Sequence, residues 1–126
     1  MKCLITGANG FVGTHLVREL KGKYSAIYGL SLHAETGSDY IPVESDIRDT
    51  KRISELIKDI SPDVIYHLAG QPFVPFAIEN PEETLEINVK GTLNILHSPQ
   101  INGKKAKMIY ISSADVYGTS PDKAHP

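Results

Sequence analysis

Three glycines near the start of the chain have the spacing of a phosphate-binding loop. Gly7, Gly10 and Gly13 form a G-x-x-G-x-x-G pattern between a short apolar strand, Cys3 to Ile5, and the start of a helix. Gly7 would allow the tight turn off the strand, Gly10 would let backbone approach a pyrophosphate, and Gly13 would let the helix pack closely. The N–H groups and dipole of that helix attract phosphates. The pattern predicts a dinucleotide site, with a glycine-rich turn that binds nothing as the alternative, at Gly7, Asn9, Gly10, Phe11, Val12 and Gly13.

The end of the second predicted strand bears on the choice between NAD and NADP. A dinucleotide site usually has an acid about 20 residues beyond the glycine loop, where it holds the ribose 2′-hydroxyl. Here the segment Leu30 to Glu35 has no acid at the strand end. His33 lies there instead and could contact a 2′-phosphate, which would favour NADP, or it is simply an exposed loop residue. The cofactor is therefore predicted to be NAD or NADP.

Two residues after the third predicted strand are candidates for holding an adenine ring. These are Asp46 and Ile47, which follow the strand directly. A carboxylate at this position could accept the adenine amino group, while the aliphatic side chain packs on the ring. A turn or a helix cap is the alternative role for Asp46.

The elements that must hold these residues alternate between strands and helices. Such alternation predicts βαβ units and a parallel sheet. Right-handed crossovers then place the strands in the order third, second, first, fourth, fifth, with helices on both faces. The predicted fold class is a doubly wound, Rossmann-type α/β fold over residues 1–126. The predicted strands are Cys3 to Ile5, Ala26 to Leu32, Tyr40 to Glu44, Val64 to Ala69 and Met108 to Ile111.

Three helices are predicted between these strands. Phe11 to Leu20 and Ile53 to Ile60 carry apolar residues at helical spacing. The third helix begins at Asn80, whose side chain can cap it, and a proline and two acids follow in its first turn. Pro99 is expected to end that helix near His97.

Composition and charge exclude several classes of function. The chain has 126 residues, 40% of them hydrophobic, which is enough for one packed domain. A net charge of −2 gives neither a nucleic-acid footprint nor a polybasic membrane patch. No apolar run approaches the roughly 18 residues of a membrane span. The one cysteine, Cys3, indicates a buried strand thiol and a reducing, cytoplasmic setting, and none of the five histidines has metal-ligand spacing.

Five motif-like segments follow one another along the chain: Thr6 to Gly13, Asp46 to Asp49, His67 to Gly70, Asn88 to Thr92, and Ser112 to Gly118. Each is weak alone, but together they cover the whole chain in a specific order. The combination resembles the extended short-chain dehydrogenase/reductase family, in its branch of nucleotide-sugar epimerases, dehydratases and reductases.

The resemblance implies roles for residues that spacing alone does not assign. Leu68, Ala69 and Gly70 would lie against the ribose and pyrophosphate of the cofactor. Asn88 would lie near the nicotinamide end, with a helix-packing amide as its alternative role. Ser113 matches the family's catalytic serine or threonine, which hydrogen-bonds the sugar hydroxyl or ketone, and a strand-end serine that caps the backbone is its alternative.

The same resemblance places the family's main catalytic residue outside this chain. The general acid/base is the tyrosine of a Tyr-x-x-x-Lys motif, whose lysine lowers the tyrosine pKa. This motif normally lies beyond the position of Pro126, and Tyr117 has no lysine four residues after it. The chain is therefore expected to be a partial Rossmann domain without the C-terminal substrate domain, and inactive alone. Asp115 could act as a base, as acids at this place do in GDP-mannose dehydratases and related reductases.

These features rank the functions that remain open. The first is a nucleotide-sugar epimerase or 4-keto-sugar reductase that works by hydride transfer. The second is a 4,6-dehydratase of the GDP-mannose type, in which Asp115 could serve as the base. A dehydratase of the type with an Asp-Glu pair is weakened, because Ala114 stands where that pattern has its first acid. A non-catalytic dinucleotide-binding fragment is the third. The expected partners are a nucleotide sugar in the full-length enzyme and, as an open alternative, a second copy in a homodimer, but neither nucleic acid nor membrane.

Overall fold

The computed structural model of the protein describes residues 1–33, 39–101, 105–113, 116 and 118, with the backbone alone for 99–101. Asp115 and Tyr117, which the sequence singled out, lie outside the described residues.

Five parallel strands form one sheet in the order β3-β2-β1-β4-β5, which confirms the predicted topology. β1 is central, and its last residue, Thr6, lies between Leu30 on β2 and His67 on β4. The loops that leave β1 and β4 therefore begin side by side at the carboxyl edge of the sheet. The strands are β1 Lys2–Thr6, β2 Ala26–Ser31, β3 Ile41–Glu44, β4 Val64–His67 and β5 Lys107–Tyr110.

Helices cover both faces of the sheet, as predicted. Because side chains of a strand alternate between faces, Leu4 packs into one core and its neighbours Cys3 and Ile5 into the other. The first core includes residues of α2 and α5, and the second includes residues of α1. The helices are α1 Phe11–Leu20, α2 Thr50–Ile60, α3 Val74–Glu79, α4 Pro81–Leu85 and α5 Thr92–Ile101, with a π-helical segment Glu86–Gly91 between α4 and α5.

The first two helices agree closely with the sequence pattern. α1 has the predicted bounds. α2 begins three residues before Ile53, because the Asp49 side chain accepts the backbone N–H of Arg52 at 2.9 Å and caps an additional turn. Cys3 is buried as predicted, and burial raises the pKa of its thiol to about 11.

The third predicted helix begins where expected, with Asn80 as the N-cap residue and Pro81 first, but the predicted side-chain cap and the predicted continuity were wrong. The Asn80 side chain does not cap it, but donates to the carbonyl of Phe76 at 3.3 Å, in the last turn of the unpredicted helix α3. A π-helical segment interrupts the run, and α5 continues past Pro99 to Ile101. A proline near the end of a helix removes only one backbone donor, so it does not have to end the helix.

The fourth strand is shorter than predicted for a reason that lies far away in the sequence. β4 ends at His67. The Leu68 N–H reaches both the carbonyl and the hydroxyl of Thr6 at 3.2 Å, and the Ala69 N–H reaches the hydroxyl at 3.1 Å, so the hydroxyl accepts from both residues. These bonds take the chain out of the sheet and across the end of β1.

We expect the Gly13→Ala variant to be destabilised by about 1–3 kcal/mol, the usual cost of overpacking. A Cβ at Gly13 would lie 2.2 Å from the carbonyl oxygen of Gly7 and 2.7 Å from that of Ala8, and neither backbone atom can move cheaply. Urea denaturation measures the loss. Gly10→Ala is the matched control, since its Cβ would meet only the Gly7 oxygen at 3.2 Å. Equal stability of the two variants would contradict this account of the loop.

Candidate functional site

The loops that follow β1, β2, β3 and β4 enclose a cavity of about 650 Å³ at the carboxyl edge of the sheet. This is the edge at which open parallel sheets bind ligands. All but one of the sequence-predicted cofactor residues line it. They are Gly7, Asn9, Gly10, Phe11, Val12, Gly13, His33, Asp46, Ile47, Leu68, Ala69 and Gly70.

A second cavity of about 400 Å³ adjoins the first. Asn88 and Ser113 line it, together with Tyr110 at the end of β5. The segment 68–72 belongs to the walls of both cavities. The structure thus brings all the described candidate residues to one continuous cleft, divided by the loop after β4.

The glycine loop presents the start of α1 to the first cavity. Gly7 has φ +71°, a left-handed conformation that favours glycine, and its N–H donates to the Leu30 carbonyl at 2.8 Å. Gly10 is the N-cap residue of α1, and no side chain caps the first turn. This helix end can therefore bind an anion through backbone N–H groups and the helix dipole.

Two large apolar side chains stand exposed beside that helix end. Phe11 is 81% exposed and Val12 is 55% exposed. The Phe11 ring lies against His15, with ring centroids 5.0 Å apart. Both residues line the first cavity, so a ligand there would cover apolar surface that is otherwise open to water.

The Asp46 carboxylate is held by an arginine from its own loop. Arg48 bonds it through Nε at 2.8 Å and a terminal nitrogen at 2.6 Å, and also donates its backbone N–H at 2.8 Å. The other terminal nitrogen of Arg48 reaches Glu83 on α4 at 3.1 Å. Hydrogen bonding from Arg48 lowers the pKa of Asp46. The turn foreseen as the alternative for Asp46 is therefore present, and contact with adenine stays a prediction.

Ile47 and His33 occupy contrasting positions at this end of the cleft. Ile47 is buried beneath Gly91, where a Cβ would lie 2.5 Å from the Ile47 Cδ1 atom. His33 is exposed, and its carbonyl accepts the Ser31 hydroxyl at 2.8 Å. Both line the first cavity, and their contacts with a cofactor stay predictions.

The loop after β4 is held at two points by side chains from elsewhere in the fold. At one end, Thr6 accepts the N–H groups of Leu68 and Ala69. At the other end, the Asn88 side chain accepts the Gln71 N–H at 2.7 Å and donates to the Gln71 carbonyl at 3.0 Å. The Asn88 amide therefore has a packing role, because its two hydrogen bonds fix the wall between the two cavities.

His67, at the end of β4, is the buried centre of this region. Its side chain is 0% exposed, with Nδ1 2.7 Å from the Thr6 hydroxyl and Nε2 3.0 Å from the Thr92 hydroxyl. The Tyr110 ring stacks against it at 5.7 Å. Burial lowers the pKa of His67 to about 4, so the ring is neutral at pH 7.

Ser113 lies exposed just beyond β5 in the wall of the second cavity. Its backbone carbonyl accepts the N–H of Val116 at 3.3 Å, so a turn begins here. Its predicted neighbour in catalysis, Asp115, lies outside the described residues.

Sequence reasoning missed the residues that connect the site. Four residues of the motif segments were given no role of their own, although all of them hold loops that line the cleft: Arg48, Thr6, His67 and Thr92. One signal was available for His67, which is a polar residue in an otherwise apolar strand and therefore needs buried hydrogen-bond partners. The sequence carries no comparable signal for the contact of Arg48 with Glu83, which is 35 residues away.

Two findings concern other classes of site. None of the helices in the described part of the chain has the length and apolarity of a membrane span. Within the same residues, no three His, Cys, Asp or Glu side chains come together as metal ligands would.

The neutral, buried His67 predicts a specific loss of stability in mild acid. Its pKa in the folded chain, about 4, lies below the ordinary value of 6.5, so the unfolded chain takes up the proton first. The stability linked to this residue is complete above pH 6.5 and is lost as the pH falls toward 4, at about 1.4 kcal/mol per pH unit. Urea denaturation between pH 7 and 5 measures the slope.

The matched variants for that measurement are His67→Gln and His15→Gln. Substituting the buried ring should flatten the dependence on pH in this window, whereas substituting the exposed His15 should leave it as in the wild type. If the free energy of unfolding depended on pH equally in the wild type and in His67→Gln, the acid-linked loss of stability could not come from His67.

Comparison with known proteins agrees with this geometry. The sequence profile of the NAD dependent epimerase/dehydratase family matches residues 3–126. GDP-6-deoxy-D-mannose reductase from Pseudomonas aeruginosa is 35% identical over 125 residues, which cover 99% of this chain and 38% of the reductase. GDP-mannose 4,6-dehydratase from Yersinia enterocolitica is 32% identical, over 96% of this chain and 36% of the dehydratase.

A solved structure shares the fold at similar coverage. UDP-glucose 4-epimerase from Thermus thermophilus, in complex with NAD, superposes with a TM-score of 0.86 at 26% identity, over 100% of this chain and 42% of the epimerase. This chain thus spans well under half the length of these relatives. With a family profile that matches nearly its whole length, the chain belongs to the NAD dependent epimerase/dehydratase family.

Proposed function

We propose that this chain is the dinucleotide-binding portion of a nucleotide-sugar epimerase or 4-keto-sugar reductase that acts through hydride transfer. The observation that carries the proposal is the divided cleft. The glycine loop lines one cavity and Ser113 lines the other, with the loop 68–72 between them. A dinucleotide has the same division, with an adenine half and a nicotinamide half joined by a pyrophosphate.

The first cavity suits the adenine half and the pyrophosphate. The uncapped start of α1 would bind the pyrophosphate over Gly10, where a side chain would occupy the space. The adenine ring would lie toward Asp46, and the exposed Phe11 and Val12 would be covered. The dinucleotide is NAD or NADP, and His33, which lines this cavity, would contact a 2′-phosphate.

The second cavity suits the nicotinamide half and the reacting sugar. The bound nicotinamide would accept or donate the hydride. Ser113 would hydrogen-bond the sugar hydroxyl that is oxidised, or the ketone that is reduced. Asn88 and the loop that it fixes would set the depth at which the nicotinamide half enters. A homodimer also remains a prediction, and it would bury the exposed apolar side chains of Leu85, Val89 and Leu93.

Two relatives favour different members of the branch. The reductase relative fits the proposed 4-keto-sugar reductase, and the epimerase structure fits the alternative epimerase. The dehydratase relative keeps a GDP-mannose-type dehydratase as the second candidate, with Asp115 as its base.

Titration of the chain with NAD and with NADP by calorimetry tests cofactor binding and chooses between the two. We expect Gly10→Val to weaken binding of the preferred dinucleotide at least about tenfold, or 1.4 kcal/mol, because the valine would fill the space of the pyrophosphate. Gly10→Ala should fall between Gly10→Val and the wild type. Circular dichroism controls for folding, and unchanged affinity in a folded Gly10→Val would place the site elsewhere.

The proposed chemistry needs a general acid/base, which by resemblance to the family is the tyrosine of a Tyr-x-x-x-Lys motif. The 126-residue sequence does not contain this motif, and loss of general acid/base catalysis alone reduces rates by about 10²–10⁴. We therefore expect no measurable sugar-nucleotide turnover by this chain in an NAD(P)H absorbance assay with several sugar nucleotides.

A chain extended to include that motif and a C-terminal substrate domain provides the positive arm of that test. There, Ser113→Ala should reduce kcat strongly, whereas Ser112→Ala, the adjacent serine, should reduce it much less. Robust turnover by the 126-residue chain would show that another of its residues replaces the tyrosine as the general acid/base. Equal effects of the two serine variants would remove Ser113 from the proposed chemistry.

A further inference from the structure

A buried chain of hydrogen bonds connects the two points at which the loop after β4 is held. Thr6 binds the loop at Leu68 and Ala69, and it also contacts His67 Nδ1 at 2.7 Å. His67 Nε2 contacts the Thr92 hydroxyl at 3.0 Å. Thr92 lies one turn from Asn88, which holds Gln71, so the imidazole lies midway between the two ends.

The number of donors and acceptors on each side chain assigns the protons in this series of hydrogen bonds. The Thr92 hydroxyl has one proton and donates it to the Asn88 carbonyl at 2.6 Å, so the Thr92 oxygen must accept from His67 Nε2. With the proton of the neutral ring on Nε2, the Nδ1 atom accepts the proton of the Thr6 hydroxyl. The Thr6 hydroxyl oxygen also accepts the Ala69 N–H, and it shares the Leu68 N–H with the Thr6 carbonyl. Every hydrogen bond in this series therefore points the same way, from Thr6 through His67 and Thr92 to the carbonyl of Asn88.

The last bond falls where the helix departs from α-helical geometry. Thr92 directly follows the π-helical segment Glu86–Gly91. Its backbone N–H donates to the carbonyl of Val89, and its hydroxyl donates to the carbonyl of Asn88. Gly91 permits this turn to lie directly on Ile47. The backbone position of Asn88, and hence the reach of its amide to Gln71, thus depends on the hydroxyl that His67 orients.

We propose that His67, in its Nε2–H tautomer, is a positioning residue that fixes the loop 68–71 through Thr6 at one end and through Thr92 and Asn88 at the other. The proposal rests on the proposed function in one respect, since what the fixed loop positions is the nicotinamide half of the dinucleotide. His67 itself is wholly buried and lines neither cavity, so it acts through its partners and touches no substrate.

The first test compares Thr92→Val with Thr92→Ser. Valine has nearly the shape of threonine but removes the hydroxyl, whereas serine keeps both hydrogen bonds and loses only a methyl group. Amide hydrogen exchange by NMR should show the Gln71 N–H exchanging at least about tenfold faster in Thr92→Val. In Thr92→Ser, the same amide should remain close to the wild type. The amides of α2 serve as an internal measure of global stability.

The second test separates positioning from general loosening of the fold. ADP probes the first cavity alone, and NAD probes both, or NADP if it binds more tightly. Thr92→Val should weaken the dinucleotide at least about tenfold while ADP affinity changes less than about threefold. Thr92→Ser should restore dinucleotide affinity. If Thr92→Val weakened the binding of ADP and of the dinucleotide equally, His67 and Thr92 would have only a structural role, and the proposal would be overturned.

The tautomer gives a spectroscopic readout that needs no ligand. Two-bond proton–nitrogen NMR of the imidazole at pH 7 should show Nδ1 unprotonated and Nε2 protonated. A proton on Nδ1, or unchanged Gln71 exchange in Thr92→Val, would overturn the proposal whatever the chain binds. If the wild type binds neither ADP nor dinucleotide, the proposed function fails, and exchange together with the tautomer still decides whether His67 fixes the loop.

Discussion

The buried hydrogen bond between Thr6 and His67 is the contact on which the rest of the site depends. It joins the last residues of β1 and β4, with 2.7 Å between the Thr6 hydroxyl and His67 Nδ1. Both residues are 0% exposed. Directly after Thr6 the glycine loop begins, and directly after His67 begins the loop that separates the two cavities. A displacement of either strand end would therefore move both walls of the cleft.

Much of the fold could be predicted from local sequence patterns, because the spacing of apolar residues reflects which side chains are buried. The helix bounds of α1 and the strand order followed from apolar spacing, the glycine turn and the handedness of crossovers. The end of β4 could not be predicted, because Thr6 decides it from 62 residues away. Asn80 was misjudged for a similar reason, since the neighbouring helix α3, which the sequence did not reveal, takes its side chain.

The candidate site shows the same division between local and distant causes. The glycines of the loop were found because each glycine changes what the adjacent backbone can do. The clamp between Asn88 and Gln71 was not found, because it needs a π-helical segment that no residue type announces. That segment lies where Gly91 meets Ile47, a contact between residues 44 positions apart that is visible only in the folded chain. Resemblance supplied Asn88 as a candidate, but only the geometry indicates that its amide acts on the loop.

The charges around the cleft show how it could bind an anion without strong positive potential. Arg48 is the only Lys or Arg among the described residues that line the first cavity, and it is paired with both Asp46 and Glu83. A pyrophosphate there would rely on the backbone N–H groups at the start of α1 and on the helix dipole. Such donors act only at short range and in fixed directions. Binding would therefore depend on the shape of the glycine loop more than on net charge, which is −2 for the whole chain. When geometry supplies the attraction, the geometry itself has to be rigid. The loop is held accordingly, because the Leu30 carbonyl of β2 accepts the N–H groups of Gly7 and Ala8, and His67 of β4 bonds Thr6 directly before the loop.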